Sequence, residues 1–239
     1  MWWDIAPEAK ADFQHWHSHE HFPERLGVPG FQRATRWVDA AGLSGIFVLY
    51  ELETYDVLSS PRYLARLNAP SPWSARMMPL HKNMVRAQCH VLASHGGAVA
   101  SHAMTIRLSA PPGGPEGVAA QLARLTDGLA SQPGIVGVHV LWHEPPRVPE
   151  TTEQRIRRVP DRSTDIALVI CGYDRQALVT LQRDALSRST LTALGAAPEI
   201  ESALYSLAHS AVSRDHADAE EGQSPARQPH EQGCKPAGS

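Results

Sequence analysis

The sequence has few cysteines and no long apolar run, and both absences narrow the class of protein. Its three cysteines, Cys89, Cys171 and Cys234, are far apart and include no CxxC pair, so neither a disulfide framework nor a zinc ribbon is predicted. No stretch reaches the roughly 18 uninterrupted apolar residues of a membrane helix, and the first residues lack the basic and apolar regions of a secretory signal. We therefore expect a cytoplasmic protein that has no membrane partner.

An excess of basic charge is also missing. The chain has 22 Lys and Arg residues against 25 Asp and Glu, a formal net charge of -3, which argues against a nucleic-acid partner. A phosphate-binding loop, a dinucleotide fingerprint and a GxSxG nucleophile elbow are absent too. What the chain does have is 42% hydrophobic residues, enough for a sizeable core, and 13 histidines in 239 residues. The histidines are therefore the feature to follow.

Two stretches of the sequence repeat the order strand, helix, strand, strand, helix, strand. In the first stretch, hydrophobic periodicity and breaking residues predict strands at 2–5, 31–38, 46–52 and 84–94, with helices at 7–26 and 55–68. In the second, they predict strands at 101–109, 135–143, 165–171 and 199–209, helices at 115–131 and 175–194, and a polar arm at 144–164. The pair Pro29-Gly30 recurs as Pro133-Gly134, 104 positions later. This offset favours an internal duplication.

The predicted fold class is α+β, with two ferredoxin-like βαββαβ repeats at residues 1–98 and 99–212. Each repeat leaves one face of its sheet bare, so the two faces are expected to pack together as an intrachain dimeric α/β barrel. The segment 213–239 has almost no large apolar residue and is predicted to be a disordered tail. Open strand edges leave a homodimer as a possible further assembly.

The densest group of chemically useful side chains lies near the end of the first predicted helix. Four-residue spacing places His17 and His21 on one helix face, with Glu20 beside both and the aromatic Phe13 and Trp16 one turn earlier. Such a histidine can exchange protons near neutral pH. In the second repeat the shift of 104 places Leu125 at the position of His21, so a polar site is expected in the first repeat alone.

Other interpretations of these histidines stay open at this stage. His15 and His19 share a different face and are interpreted as surface residues. The spacing of His17 and His21 also suits two metal ligands, but the sequence does not fix a third ligand, for which His81 and His90 are the candidates. We therefore predict neither a metal nor a cofactor.

Further residues are candidates for binding substrate. Arg33 could bind a carboxylate or phenolate, and a buried Tyr50 would need a hydrogen-bond partner that a substrate oxygen could supply. Trp73 offers an aromatic wall after the second helix, and Phe13 is a candidate of the same kind. His90 lies on a predicted strand, on the same face as Arg86.

These residues together resemble the EthD-like branch of the dimeric α/β barrel superfamily. The resemblance is carried by Trp16 and a His21-Phe-Pro-Glu-Arg-Leu segment with four residues between them, by Val28-Pro-Gly-Phe31, by Tyr50-Glu51 and by the segment 63–73. It covers residues 2–108 well and the second half in element order only. His17 stands where many EthD-like proteins have tryptophan. The superfamily includes cofactor-free isomerases of muconolactones, polyketide cyclases, small monooxygenases and haem enzymes, several of them active on aromatic compounds.

The resemblance and the residues together predict a cofactor-independent lyase or isomerase that acts on an aromatic or lactone-like catabolic substrate. His21 would be the general acid or base, His17 or Glu20 would orient it, and Tyr50 or Arg33 would stabilise oxyanion charge. Two alternatives stay open: a non-catalytic barrel that binds a hydrophobic ligand or serves a stress response, and a metal- or haem-dependent oxygenase.

Overall fold

Nine antiparallel strands form one sheet in the computed structural model, which describes residues 1–110, 116–157 and 161–216. The strands are β1 (Trp2–Asp4), β2 (Phe31–Asp39), β3 (Gly45–Leu52), β4 (Lys82–Val85), β5 (Cys89–Gly96), β6 (His102–Leu108), β7 (Ile135–His143), β8 (Ile166–Gly172) and β9 (Ile200–Val212). The α-helices are α1 (Lys10–Trp16), α2 (Phe22–Leu26), α3 (Pro61–Asn68), α4 (Pro72–Met77), α5 (Glu116–Thr126), α6 (Thr152–Arg157), α7 (Arg175–Arg183) and α8 (Arg188–Ala193).

Short side chains fix where several of these helices begin. The hydroxyl groups of Ser60, Ser71 and Ser187 accept hydrogen bonds from backbone N–H groups in the first turns of α3, α4 and α8. The carboxylate of Asp174 caps α7 in the same way. Such caps satisfy amides that the helix itself leaves unpaired, and they hold α3 and α4 in place beside the candidate site.

The order of strands across the sheet is β4-β1-β3-β2-β9-β6-β8-β7-β5. The first four strands and the next four each follow the order fourth, first, third, second within their half of the chain. Strands β2 and β9 join the two halves, for example where Trp37 lies opposite Leu207. Strand β5 lies before residue 98 in the chain but pairs with β7 of the second half.

Each half of the sheet is covered by helices on one face, while the other faces turn towards each other. Strand β8 shows the alternation: Ile166, Leu168 and Ile170 pack in the helix-covered core of the second half. The intervening Val169 packs with Trp2 in a third core, which contains residues of both halves. Across that core, the indole N–H of Trp2 donates a hydrogen bond to Thr105 Oγ1 over 3.0 Å. The sheet is therefore curled, with side chains of both halves on its inner face.

The structure differs from the sequence prediction in how the chain is divided. The single strand predicted at 84–94 is two strands, β4 and β5, on opposite edges of the sheet. The helix predicted at 55–68 is a 3-10 turn at Tyr55–Ser59 followed by α3, because Pro61 has no N–H with which to continue the preceding turn. The arm predicted at 144–164 contains α6. Of the predicted tail, Ser213–His216 form a 3-10 turn, and residues 217–239 lie outside the described residues.

The repeated Pro-Gly pairs have the same backbone conformation. Gly30 and Gly134 have φ angles of 93° and 91°, a region that side-chain-bearing residues rarely adopt. A Cβ atom on Gly30 would lie 2.3 Å from Val57 Cγ2, and one on Gly134 would lie 2.5 Å from Ala177 Cβ. Gly30 thus lets the 3-10 turn at Tyr55–Ser59 approach the start of β2, and Gly134 lets α7 approach the start of β7.

In the described ranges, every helix is too short or too polar to cross a lipid bilayer.

Candidate active site

The histidine-rich helix contains a π-helical turn at His17–His21, between α1 and α2. The backbone N–H of Phe22 donates to the carbonyl of His17, five residues earlier. Pro23 follows at once, and it lacks the N–H that would bond to the carbonyl of His19 in a regular α-helix. The wider turn accommodates the proline ring, and such turns are frequent at functional sites.

The π-helical turn places His17 and His21 side by side behind a layer of aromatic rings. Their ring centroids lie 5.2 Å apart, and Trp16 packs 4.6 Å from His21. The side chain of His21 is 12% exposed, and His17 is almost wholly buried. Within the described part of the chain, the Nδ1 atoms of both rings lack a hydrogen-bond partner. Both imidazoles therefore have a nitrogen available to a ligand or a water molecule.

Both histidines line a small cavity of about 50 Å³. This volume is enough for a few water molecules or one polar group of a substrate. The lining residues with a polar or charged group are His17, His21, His81, Arg25, Arg86, Arg157, Tyr50, Tyr63 and Glu153. They come from the histidine-rich helix, from β3, α3 and α6, and from the segment 81–86.

A second cavity, of about 820 Å³, lies against the inner face of the curled sheet. Its lining includes Phe47 and Leu49 of β3 and, from the second half, Leu141 of β7 and Val169 of β8. The volume falls within the range typical of small-molecule sites. The two cavities share a wall, which consists of Met1, Phe31, Tyr50, Tyr63 and Arg86. A ligand in the large cavity would therefore lie next to the small cavity that contains His17 and His21.

Burial keeps the histidines of the small cavity uncharged. Loss of solvent, followed by the charge of Arg25, lowers the pKa of His21 well below its ordinary value. Burial and the neighbouring His21 do the same to the pKa of His17, and burial lowers the pKa of His81 to about 4. At neutral pH these imidazoles can accept a proton but have none to give as a cation. This differs from the expectation of an imidazole that is half-protonated near pH 6.5.

Tyr50 is placed as a hydrogen-bond donor on the shared wall. Its ring contacts Phe22 and Phe31 edge-on, each with centroids 5.7 Å apart. Burial raises the pKa of its hydroxyl, so the proton stays on the oxygen. The buried hydroxyl has no hydrogen-bond partner among the residues that the structure describes. It can therefore donate to a substrate oxygen.

Glu20 does not take the position beside His21 that the sequence pattern predicts. Its Oε1 accepts hydrogen bonds from Trp16 Nε1 over 3.0 Å and from the hydroxyls of Ser71 and Ser74. The carboxylate therefore orients the indole and ties the π-helical turn to the start of α4. The carboxylate nearest to His21 is that of Glu24, with Oε2 lying 4.0 Å from Nδ1.

The other predicted binding residues are divided between the large cavity and the packing around the site. Arg33 and His90 line the large cavity. The Arg33 guanidinium pairs with a Glu51 carboxylate oxygen 3.2 Å away, and the His90 ring stacks on Tyr55 with centroids 3.9 Å apart. Phe13 is fully buried behind His17.

Trp73 lies on the outer side of the histidine-rich helix. Its ring packs 5.2 Å from that of His15, which is exposed. His19 is exposed as well, and its Nδ1 lies 2.9 Å from the carbonyl oxygen of His15. The surface location predicted for His15 and His19 is therefore confirmed.

Several residues of the small cavity were not among the predicted site residues. Arg25 and Glu153 form a fully buried ion pair although they are 128 positions apart. Arg157 pairs with Asp161, with nitrogen–oxygen distances of 3.2 and 3.0 Å. The only sequence signal for Arg86 was that it shares a strand face with His90. Nothing in the sequence pattern points to Glu153, since α6 lies in an arm that reads as polar loop.

In the described ranges, no three His, Cys, Asp or Glu side chains are grouped so that they could hold a metal ion. His81, proposed as a third ligand beside His17 and His21, lines the same cavity, and its Nδ1 lies 3.0 Å from the carbonyl oxygen of Met78. His90, the other proposed ligand, lines the large cavity instead.

The fold is similar to several solved structures. An anthrone oxidase-like protein matches with a TM-score of 0.61 at 14% identity, over 90% of this chain and 92% of that one. A provisionally named monooxygenase from Fusobacterium nucleatum matches with a TM-score of 0.56 at 9% identity, over 88% and 91% of the two chains. Another from Lactobacillus acidophilus matches with a TM-score of 0.50 at 8% identity, over 89% and 93%.

At these identities the likeness shows the fold alone. It is an α+β fold with an antiparallel sheet. No family model matches the sequence, and no curated protein matches it.

Proposed function

We propose that the chain is a cofactor-independent enzyme, a lyase or isomerase that moves a proton on an aromatic or lactone-like substrate. The observation that carries the proposal is the neutral imidazole of His21, whose Nδ1 has no hydrogen-bond partner among the described residues, in a small cavity beside one of about 820 Å³. A general base must be unprotonated and within reach of the bound substrate. Of the two predicted roles, acid and base, the lowered pKa of His21 favours the base.

In this mechanism the substrate lies in the large cavity with a carbonyl group at the shared wall. The imidazole of His21 removes a proton from the carbon next to that carbonyl, and the C–H electron pair moves into an enolate. The enolate oxygen accepts the hydrogen bond of the Tyr50 hydroxyl. Return of the proton at another carbon completes an isomerisation, and departure of a group β to the carbonyl completes an elimination.

Three neighbours of His21 would support this step. His17 and Trp16 confine the ring, and Glu24 is placed to stabilise the imidazolium that forms when the proton arrives. Glu20 would act one step further away, through the indole of Trp16. Arg33 and His90 would contact the substrate in the large cavity, while Phe13 and Trp73 would support the helix.

We also propose that the chain is a tandem duplication whose two ferredoxin-like repeats form an intrachain barrel, with a boundary near residue 98. The identical strand order of the halves, the matching φ angles of Gly30 and Gly134, and the core that contains residues of both halves support this assignment. The sequence resemblance supports the assignment of the first repeat to the EthD-like branch. Leu125, at the position that corresponds to His21, packs against the core of the second half, which favours a site in the first repeat alone.

The names of the similar structures favour a second function, an oxygenation that starts with the same removal of a proton. An oxygenase would consume dioxygen as the substrate is oxidised, whereas a lyase or isomerase would consume none. A barrel that only binds a hydrophobic ligand would neither consume dioxygen nor convert the ligand.

One experiment separates these functions. The protein would be incubated in D₂O with anthrone and with a panel of aromatic ketones and lactones, while NMR records deuterium uptake and an electrode records oxygen. Faster deuterium uptake next to a carbonyl, without loss of oxygen, supports the proposal. Oxygen consumption would favour the oxygenase. Saturable binding of panel compounds without exchange above the spontaneous rate would overturn the enzymatic assignment.

A further inference from the structure

We propose that Arg86 and Tyr50 form an anion clamp on the wall between the two cavities, and that the clamp binds an ionised substrate oxygen of the phenolate or enolate type. The inference deepens the proposed function, because it names the substrate group that is held beside His21. It adds a charged partner, Arg86, to the neutral donor Tyr50.

The guanidinium of Arg86 is incompletely paired among the described residues. The backbone N–H of Arg86 donates to the carbonyl of Arg162 over 2.8 Å, and its Nη2 donates to the Tyr63 hydroxyl over 3.4 Å. Its Nε is buried and has no hydrogen-bond partner among the described residues. A buried donor without an acceptor is unfavourable, so an acceptor supplied by a ligand would bind well there.

Arg86 also differs from the other arginines around the two cavities. Arg25 pairs with Glu153, Arg157 with Asp161, and Arg33 with Glu51. For Arg86, by contrast, no carboxylate in the described ranges comes within ion-pair distance.

The side chain of Arg86 is partly buried, and a partly desolvated cation without a balancing carboxylate attracts an anion. The wall therefore offers a positive charge that the described residues leave for a ligand.

The two donors of the clamp lie on the same wall. Tyr50, Tyr63 and Arg86 belong to the set of residues that both cavities contact. A phenolate or enolate oxygen has enough lone pairs to accept from the Tyr50 hydroxyl and the Arg86 guanidinium together. A neutral carbonyl can accept the same hydrogen bonds, but it gains less from the charge. The clamp therefore favours a substrate oxygen that is ionised when it binds or becomes ionised during proton transfer.

The clamp also affects the base. Burial and Arg25 lower the pKa of His21 most, and Arg86 contributes in the same direction. An anion bound at Arg86 would offset part of this effect and raise the proton affinity of His21. Binding of an ionised oxygen would thus strengthen the base that the reaction needs.

The probe for the clamp is 4-nitrophenol, whose ionised form is yellow and whose pKa lies near neutral pH. Its absorbance would be titrated against pH when it is free and when it is bound to the full chain. We expect the bound phenol to ionise at a pH about one unit lower, which corresponds to about tenfold tighter binding of the phenolate than of the phenol. Equal affinity for both forms would overturn the clamp.

Variants test which residues are responsible. Arg86→Met should remove the preference for the phenolate, and Tyr50→Phe should reduce it about threefold. The matched control is Arg76→Met, at an exposed arginine of α4 outside both cavities, which should leave the preference unchanged.

Thermal unfolding shows whether the variants are folded. Arg86→Met should unfold no earlier than the parent, because the change removes an unbalanced cation. Should it fail to fold, Arg86→Gln replaces it. An unchanged preference in a folded Arg86 variant would contradict the proposal.

His21→Ala distinguishes this inference from the proposed function. The clamp predicts that this variant still binds 4-nitrophenolate, whatever happens to turnover. Phenolate preference that depends on Arg86, in a protein with no turnover, would support the clamp and contradict the proposed enzyme. Turnover that depends on His21, without any phenolate preference, would support the proposed enzyme and contradict the clamp.

Discussion

The ring of Phe22 packs against the imidazole of His17 with centroids 4.4 Å apart, although the two residues are separated by five positions. A regular α-helix brings residues three and four apart into contact, so the contact depends on the π-helical turn at His17–His21. The same turn sets His21 beside Trp16. The position of the proposed base is therefore determined by a local departure from α-helical geometry.

Replacement of Pro23 tests this dependence. Pro23→Ala restores a backbone N–H and allows the helix to close into regular α geometry. We expect turnover to fall by roughly 100-fold, the size of effect that small misplacement of a catalytic group can have, with no loss of stability. The control is Pro61→Ala, at the first position of α3, where the helix does not need a backbone N–H. Unchanged turnover in Pro23→Ala would show that the turn does not matter for the reaction.

The buried histidines should make the protein sensitive to acid. The pKa of His81 lies near 4 in the folded chain and near 6.5 when unfolded, so the unfolded state binds the proton more tightly. Stability is therefore complete above about pH 6.5 and is lost as the pH falls towards 4, by on the order of 3 kcal/mol for His81 alone. Urea unfolding of His81→Asn across this range should show a correspondingly smaller loss.

The control for this measurement is His19→Asn, because His19 is exposed. It should follow the pH dependence of the parent. The same dependence in His81→Asn as in the parent would mean that His81 is not held neutral in the folded chain.

Tyr50→Phe separates a catalytic from a structural role of the hydroxyl. Removal of one donor to an oxyanion lowers turnover by about 10²–10³-fold in comparable sites. Stability should be unchanged or rise by up to about 1 kcal/mol, because the buried hydroxyl is unpartnered in the described structure. In the control Tyr173→Phe, the N–H of Gly134 loses its acceptor, so stability falls slightly while turnover is kept. A loss of stability in Tyr50→Phe equal to that of the control would argue for a structural role.

The repeated Pro-Gly turns provide a test of the fold. Gly30→Ala would add a Cβ 2.3 Å from Val57, and Gly134→Ala would add one 2.5 Å from Ala177; both changes would also strain the backbone. We expect each change to lower the free energy of unfolding by at least about 2 kcal/mol. Gly42→Ala is the control, since its φ angle of 80° adds the same strain but its Cβ would meet no atom within 4 Å. Equal losses at all three positions would exclude the contacts with Val57 and Ala177 as the cause.

Most of the strand order along the chain could be predicted from hydrophobic patterning. Strand β8, for example, is buried on both faces and reads as a continuous apolar run. The division between β4 and β5 could not be predicted in this way, because the run from Met84 to Ser94 has no break as strong as proline or glycine. The two strands are separated by long-range pairing, β4 with β1 and β5 with β7.

The candidate site could be predicted only where it is local in sequence. His17 and His21 were found because they belong to one helix, and the π-helical turn kept them adjacent. Pro23 was the available signal for that turn, since it interrupts the hydrogen bonds of the helix. The partners of Glu20 come from α4, and Glu153 reaches Arg25 from 128 positions away. Contacts of this kind depend on how the chain folds back, which a periodic pattern does not record.

The central claim is that the imidazole of His21 accepts the proton, and the most direct test is the rate of deuterium uptake by His21→Ala. The account predicts a loss of at least about 100-fold, with a free energy of unfolding within about 2 kcal/mol of the parent. The exposed His19→Ala should exchange at the parental rate. A His21→Ala protein that catalyses exchange as fast as the parent would contradict the claim.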